Sequence, residues 1–466
     1  MAAARIARAT VLVALIGACA LALAGPASAR NRFDTRVFAR IGDPGYPALS
    51  LVAPDRTVYV GTFTNAQGED TGPSKVFAYS PDGRLKRTYV VQGQTPGAAH
   101  GVQVAAIDAR GKLYLMDQNP PRVLTLDPNT GAQATYGTFR DVMPCAPGAP
   151  PQDCSATTTD NPAEPNYAAW GPDGSLYVTD YIQGLIWRVP AGGGTAHVWF
   201  TDPQLDGALF GPAGLLLTPD RHHLLVSTSA GGTTTLLAGN DPTTGELYSL
   251  PIENDGRPGF LTKLWESGPK EAPDGFALAK SGNVYLALVG PDVNQLVVIG
   301  PDGTERTRFP SDTSGDNGTD IPFDEPSSAR FDGERLLVTN NPYVSGDKSH
   351  MAVFDVFVGE PGEPVFVPGL GGGGSGGYKL TVRPRKVRVG TRHTFRFHVT
   401  LRGRRVKDAL VAFAGRRVRT DGRGHAKLRT ELKRVRRYRA TVSVGKSRLR
   451  VASASVRVQR RLLKPR

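Results

Sequence analysis

One short pattern recurs six times in this chain and restricts its fold more than any other feature. A turn carrying Asp or Gly leads into a strand of type Leu/Val-Tyr/Leu-Val/Leu. The copies are PDRTVYV (54–60), ARGKLYL (109–115), PDGSLYV (172–178), PDRHHLLV (219–226), KSGNVYL (280–286) and DGERLLV (332–338). Their second apolar positions, Tyr59, Tyr114, Tyr177, Leu225, Tyr285 and Leu337, lie 55, 63, 48, 60 and 52 residues apart. A second hairpin signature falls between them, as in VFAYSPDGRLKRTYV from Val76, LVVIGPDGTERTRF from Leu296 and MAVFDVFVGEPGEPVFV from Met351. Each period therefore holds four short strands, and six such periods describe a six-bladed β-propeller. Helical repeats fail because the turns read Pro-Asp-Gly and the strands alternate with period two. The expected class is all-β.

In a propeller the innermost strand of each blade starts at one face of a central channel, and those starts converge on a shared pocket. Reading upstream of each repeat gives the rim candidates Tyr46, His100, Asn166, Ala213, Asp274 and Ser327, with Glu325 beside the last. Each has a plainer reading too. His100 reads as a residue capping a turn, Glu325 as a solvated loop acid, and Asp274 and Asn166 as turn formers after proline. Asp180, at the end of a blade strand, is expected to hydrogen-bond a neighbouring loop.

Charge divides the chain. Residues 378–466 hold 30 Lys and Arg, 23 of them Arg, against Asp408, Asp421 and Glu431, a net charge of +27. The whole chain carries +14, so residues 1–377 carry −13. Two units with different partners are implied. The expected boundaries are a secretory signal peptide at 1–29, the propeller at 30–370, a Gly/Ser linker at 371–377 and a basic β-sandwich at 378–466.

Residues 1–29 combine Arg5 and Arg8, an apolar run from Ala9 to Leu23, and Ala27-Ser28-Ala29 as a cleavage site. A lipoprotein signal ending at Cys19 is the rival, but the apolar run continues past it. No later stretch reaches the roughly 20 apolar residues of a membrane helix. The protein is expected outside the cell, secreted or associated with the envelope. Export leaves Cys145 and Cys154, expected to form one disulfide that clips a Pro-rich loop.

The sequences EPNYAAWGPDGSLYVTD (164–180) and EAPDGFALAKSGNVYLAL (271–288) resemble the SMP-30/gluconolactonase/LRE family of six-bladed propellers, over roughly residues 40–368. That resemblance implies a metal-dependent hydrolase of lactones or related esters, with one divalent cation in the channel. It makes Asp274, in Pro-Asp-Gly, a metal ligand and catalytic base, and Asn166, in Pro-Asn, a substrate-facing catalytic residue. Two ligand positions depart from the family. Ala213 stands where it reads Asn, and the first blade reads Gly45-Tyr46-Pro47 where it reads Glu. His100 and Glu325 are the substitute ligands at equivalent strand starts, and the cation would be calcium, zinc or manganese.

The loop SDTSGDNGTD (311–320) has the look of a calcium loop but not the EF-hand register, and reads as a solvated acidic loop. Gly-Gly-Ser-Gly-Gly at 373–377 is linker rather than nucleophile elbow, and Gly445-Lys446-Ser447 lacks a phosphate loop's first glycine. Residues 378–466 alternate with period two and resemble bacterial Ig-like domains around VKDALVAFAGRRVRTDGRGHAKL (406–428). Their charge suits an anionic cell-envelope polymer. Nucleic acid is disfavoured by export and by the absence of any recognition-helix or RNP-like pattern. Two functions stand at this point: a secreted lactone or ester hydrolase, or a non-catalytic propeller that binds a ligand or protein and is tethered by its basic tail.

Overall fold

The computed structural model describes residues 30–69, 72–146, 153–157, 160–206, 210–230, 244–253, 255–368, 378–401, 404–443 and 452–459. The expected signal peptide and linker lie outside them. Described elements are strands apart from single 3-10 turns such as Pro203–Leu205 and Lys348–His350. No described helix is long and apolar enough to cross a membrane.

Six sheets follow one another along the chain, each an antiparallel meander running from an innermost to an outermost strand, and Gly194–Thr195 adds a short parallel pairing to the edge of the second. The innermost strands are Ser50–Val52, Val102–Ile107, Pro165–Trp170, Pro212–Leu217, Pro273–Leu278 and Pro326–Asp332. Each packs against the next, and the sixth packs against the first, closing the ring. This is the six-bladed propeller. Closure leaves no blade edge free at the channel. The sixth blade departs from the expectation of two hairpins from its own repeat. Its outermost strand is Thr35–Arg40, paired with Ala352–Phe357. The chain after Phe357 instead runs across the channel end where the inner strands finish, with Glu363 N donating to Leu278 O.

The repeat explains the packing. Its apolar positions, among them Tyr177, Leu225, Tyr285 and Leu337, are buried between blades. Tyr114 meets Trp170 of the next blade edge-on at 4.8 Å, and Trp170 Nε1 donates to Ile107 O at 3.0 Å. Cys145 and Cys154 form the expected disulfide. Asp180 accepts from Gln183 N, Trp187 Nε1 and Glu164 N, which anchors the loop around it as expected.

The described residues of 378–459 form two sheets that share one apolar core built on Phe395, Phe397 and Phe413. The small antiparallel sandwich that the period-two runs predict needs correction at one pairing: Lys386–Arg388 runs parallel to Ala452–Gln459. Pro384 interrupts the run 378–388, and the two halves join different sheets.

Candidate functional site

The ladders that open three blades break at the same place. Pairing is interrupted between Pro165 and Ala168, between Pro212 and Leu215, and between Pro273 and Phe276. Each bulge holds the two residues after the proline: Asn166-Tyr167, Ala213-Gly214 and Asp274-Gly275. A bulge leaves its residues outside the ladder and re-aims their side chains. It also orphans backbone groups, and a hydroxyl from the second strand of the blade repairs them. Thr179 Oγ1 accepts from Tyr167 N at 3.0 Å and donates to Ala213 O in the next blade at 2.8 Å. Ser227 Oγ accepts from Gly214 N at 2.8 Å and donates to Asp274 O at 2.6 Å. Ala287 holds the equivalent position in blade five, and Tyr167 Oη reaches across to donate to Ser327 O at 3.0 Å.

Gly275 permits that crossing. A Cβ there would sit 2.3 Å from Tyr167 Oη and 2.5 Å from Ser328 Cβ. The Pro-Asp-Gly of blade five is therefore a strand entry with a close approach, not a turn.

At this end of the channel is a pocket of about 80 Å³. Its polar wall is Gln103, Asn166, Ser229, Asp274, Glu325 and Asn341. Its aromatic wall is a chain of ring contacts, Phe63–Tyr343 at 6.3 Å, Tyr343–Phe210 at 6.4 Å and Phe210–Tyr181 at 6.1 Å. Gln103 Nε2 donates to Asn166 Oδ1, which leaves the Asn166 amide nitrogen as a donor for a ligand. Gln103 Oε1, Asp274 Oδ1 and Asn341 Oδ1 are buried without a hydrogen-bond partner.

Burial pushes the Asp274 carboxyl up to about 7, while the Tyr167 hydroxyl and the charge of Arg330 pull it back. Arg330 is itself buried beside the channel, donating to Phe276 O and Ala329 O. Burial also raises Glu325 to about 7, against two backbone donors to its carboxylate, Val344 N at 2.7 Å and Ser345 N at 2.9 Å. Glu325 has φ +53 and Ala272 +45, each just before the proline that opens its strand, and Tyr46 has φ +50 before Pro47, ahead of Ser50–Val52. Left-handed backbone at such residues costs about 1–3 kcal/mol and gathers at functional sites.

Of the sequence-derived candidates, Asn166, Asp274 and Glu325 come together here, and His100 does not. Its Nδ1 contacts Ala98 O, and burial lowers its pKa beside Asp117, away from the pocket lining. Tyr46 is fully buried, with its hydroxyl accepting from Asn65 Nδ2 at 3.2 Å. Ser327 Oγ donates to Ala48 O, and Ala213 presents only a methyl group. Among the described residues no three His, Cys, Asp or Glu side chains gather as a metal site. The set Asp274, His100 and Glu325 is thus not assembled: His100 is elsewhere, and the Glu325 carboxylate is already engaged by backbone donors. In the 311–320 loop, Asp312 and Asp316 each accept from a backbone N–H two residues on, and Asp320 pairs with Arg40.

Sequence reasoning missed Gln103, Asn341 and the four aromatic residues. Gln103 lies three residues beyond His100 within the same strand entry, so the right segment was in view with the wrong side chain. Asn341 and Tyr343 follow the LLVTN strand on a loop that carries no repeat signal.

No protein-family model and no curated protein matches this sequence. Among solved structures, the chain is similar to a gluconolactonase from Xanthomonas campestris, at 16% identity and a TM-score of 0.44 over 70% of this chain and 89% of that one. It is also similar to virginiamycin B lyase from Staphylococcus aureus, at 14% identity and 0.41 over 68% and 96%. A luciferin-regenerating enzyme matches at 12% and 0.42 over 70% and 97%.

Proposed function

We propose that the pocket is the active site of a hydrolase acting on a lactone or related small ester, with Asp274 as general base. One observation carries this reading: a buried carboxyl raised to about 7, with an unpartnered oxygen, lines a pocket where six strand starts converge. A base is most effective when its pKa lies near the working pH. Asp274 takes a proton from water as the water oxygen bonds to the carbonyl carbon. The Asn166 amide donates to the carbonyl oxygen as it gains charge. The ring or ester C–O bond then breaks, and the Asp274 proton passes to the departing alkoxide, giving a hydroxy acid or an acid and an alcohol.

The test is hydrolysis of five- and six-membered lactones and aryl esters by the chain lacking residues 1–29, with a chelator present. Turnover that rises through pH 7 and falls with Asp274→Asn is the expected result. Turnover that needs added calcium, zinc or manganese, or is indifferent to Asp274→Asn, overturns it. Saturable ligand binding without turnover leaves the non-catalytic propeller.

We also propose that the protein is exported and that residues 378–466 attach it to an anionic envelope polymer. Cross-strand pairing aligns Arg383, Arg396 and Lys427 in one exposed row, with Arg429 opposite Thr394. Like charges directly opposite one another are destabilising unless an anion lies between them. Arginine suits phosphate best, through its bidentate fork. Retention on inorganic polyphosphate that weakens with salt and with Arg396→Gln is expected; retention unchanged by that substitution counts against this face.

A further inference from the structure

Gln103 and Asn341 line the pocket, are 3% and 5% exposed, and each holds a buried amide oxygen without a partner. A buried acceptor left unmade costs about 1–3 kcal/mol, so two of them on one small cavity ask for a ligand with N–H or O–H groups. Electrostatics narrows the choice. The lining includes the carboxyls of Asp274 and Glu325, and no described lining residue is Lys, Arg or His. The remaining wall is the aromatic arc Phe63–Tyr343–Phe210–Tyr181, whose ring faces attract cations. At about 80 Å³ the cavity is roughly half the size of one that admits benzene, about 150 Å³. It takes the head of a ligand, not the whole of one.

We infer that this pocket selects a protonated primary amine on a small ligand, the ammonium N–H groups meeting Gln103 Oε1 and Asn341 Oδ1 and its charge facing the carboxylates and the aromatic arc. A quaternary ammonium would satisfy the rings but not the amide oxygens. An anionic head would meet two carboxyls and no cation among the described lining residues, the nearby Arg330 being engaged by Phe276 O and Ala329 O. Asp274 Oδ1 stays available to water, so the inference names the substrate class of the proposed hydrolase while concerning only its binding step.

The experiment is calorimetric titration of the chain lacking residues 1–29 with benzylamine, and with benzyl alcohol as its neutral counterpart of equal shape. Benzylamine is expected to bind at least tenfold more tightly. Tetramethylammonium is expected to bind more weakly than benzylamine. Gln103→Leu and Asn341→Leu, each confirmed as folded by circular dichroism, are expected to lower benzylamine affinity tenfold. Equal affinity for amine and alcohol in the unmodified protein overturns the inference without recourse to any variant. So does stoichiometric calcium binding that either substitution abolishes, since the amide oxygens would then be metal ligands. Lactone turnover plays no part in this readout. A catalytically inactive protein that prefers benzylamine sinks the hydrolase reading alone, and a lactonase indifferent to the amine sinks this one alone.

Discussion

Where the innermost strands begin, the channel presents Asp274, Glu325, Asn166, Gln103 and Asn341 with an arc of aromatic rings. Where the same strands finish, it is lined by Leu51, Ile107, Trp170, Leu217 and Leu278, and the segment from Pro361 to Val367 lies across it. The strands are shared, so the contrast comes from what happens along each one. At the finishing end apolar side chains pack between blades, and one register shift, between Val104 and Ala106, interrupts the innermost ladders. At the starting end register shifts after the prolines of blades three to six turn side chains out of the ladder, and left-handed residues precede Pro47, Pro273 and Pro326.

Substitutions at the two ends therefore separate activity from stability. Asp274→Asn removes the proposed base and is expected to lower kcat by about 10²–10⁴-fold while the protein stays folded, read by lactone hydrolysis beside a thermal melt. Leu217→Ala at the opposite end is expected to do the reverse. It should destabilise by about 2–5 kcal/mol, as for other buried Leu truncations, with benzylamine affinity unchanged in calorimetry. A loss of affinity there would show that the two ends are coupled.

Ser227→Ala probes the repair of the bulges. It leaves Gly214 N without its side-chain acceptor and Asp274 O without its donor, and should cost about 1–3 kcal/mol in denaturant unfolding. Unlike Leu217→Ala it should also disturb the pH profile of turnover, because it loosens the backbone that carries Asp274.

A further expected effect is on stability against pH. Burial raises Asp274, Glu325 and Glu164 to about 7. Between pH 4 and 7 the folded chain holds protons that the unfolded chain has released, so stability falls as pH rises through that window. The melting temperature should be higher at pH 5 than at pH 8, and Asp274→Asn should flatten part of that slope. A melting temperature that climbs over the same range would contradict the burial of these carboxyls.

The ring of blades was legible in the sequence because its cause is local. A strand of period two after an Asp/Gly turn needs a neighbour on each face, and six copies close on themselves. The repeat also located the strand starts, which is why Asn166, Asp274 and Glu325 were found. It did not reveal that blade six borrows Thr35–Arg40, since a strand from the N-terminal end reads like any other. Nor could it rank His100 against Gln103: which of two residues three apart faces a channel depends on how the loop before the strand enters the blade. The orphaned oxygens of Gln103 and Asn341 were invisible for a deeper reason. Whether a polar atom has a partner depends on every chain segment that reaches it, and here those segments come from different blades. The sequence by itself determined the all-β repeat and the places where polar side chains gather. Only tertiary closure decided which of those side chains share a pocket, because burial and the loss of water are properties of the closed ring and not of any one blade.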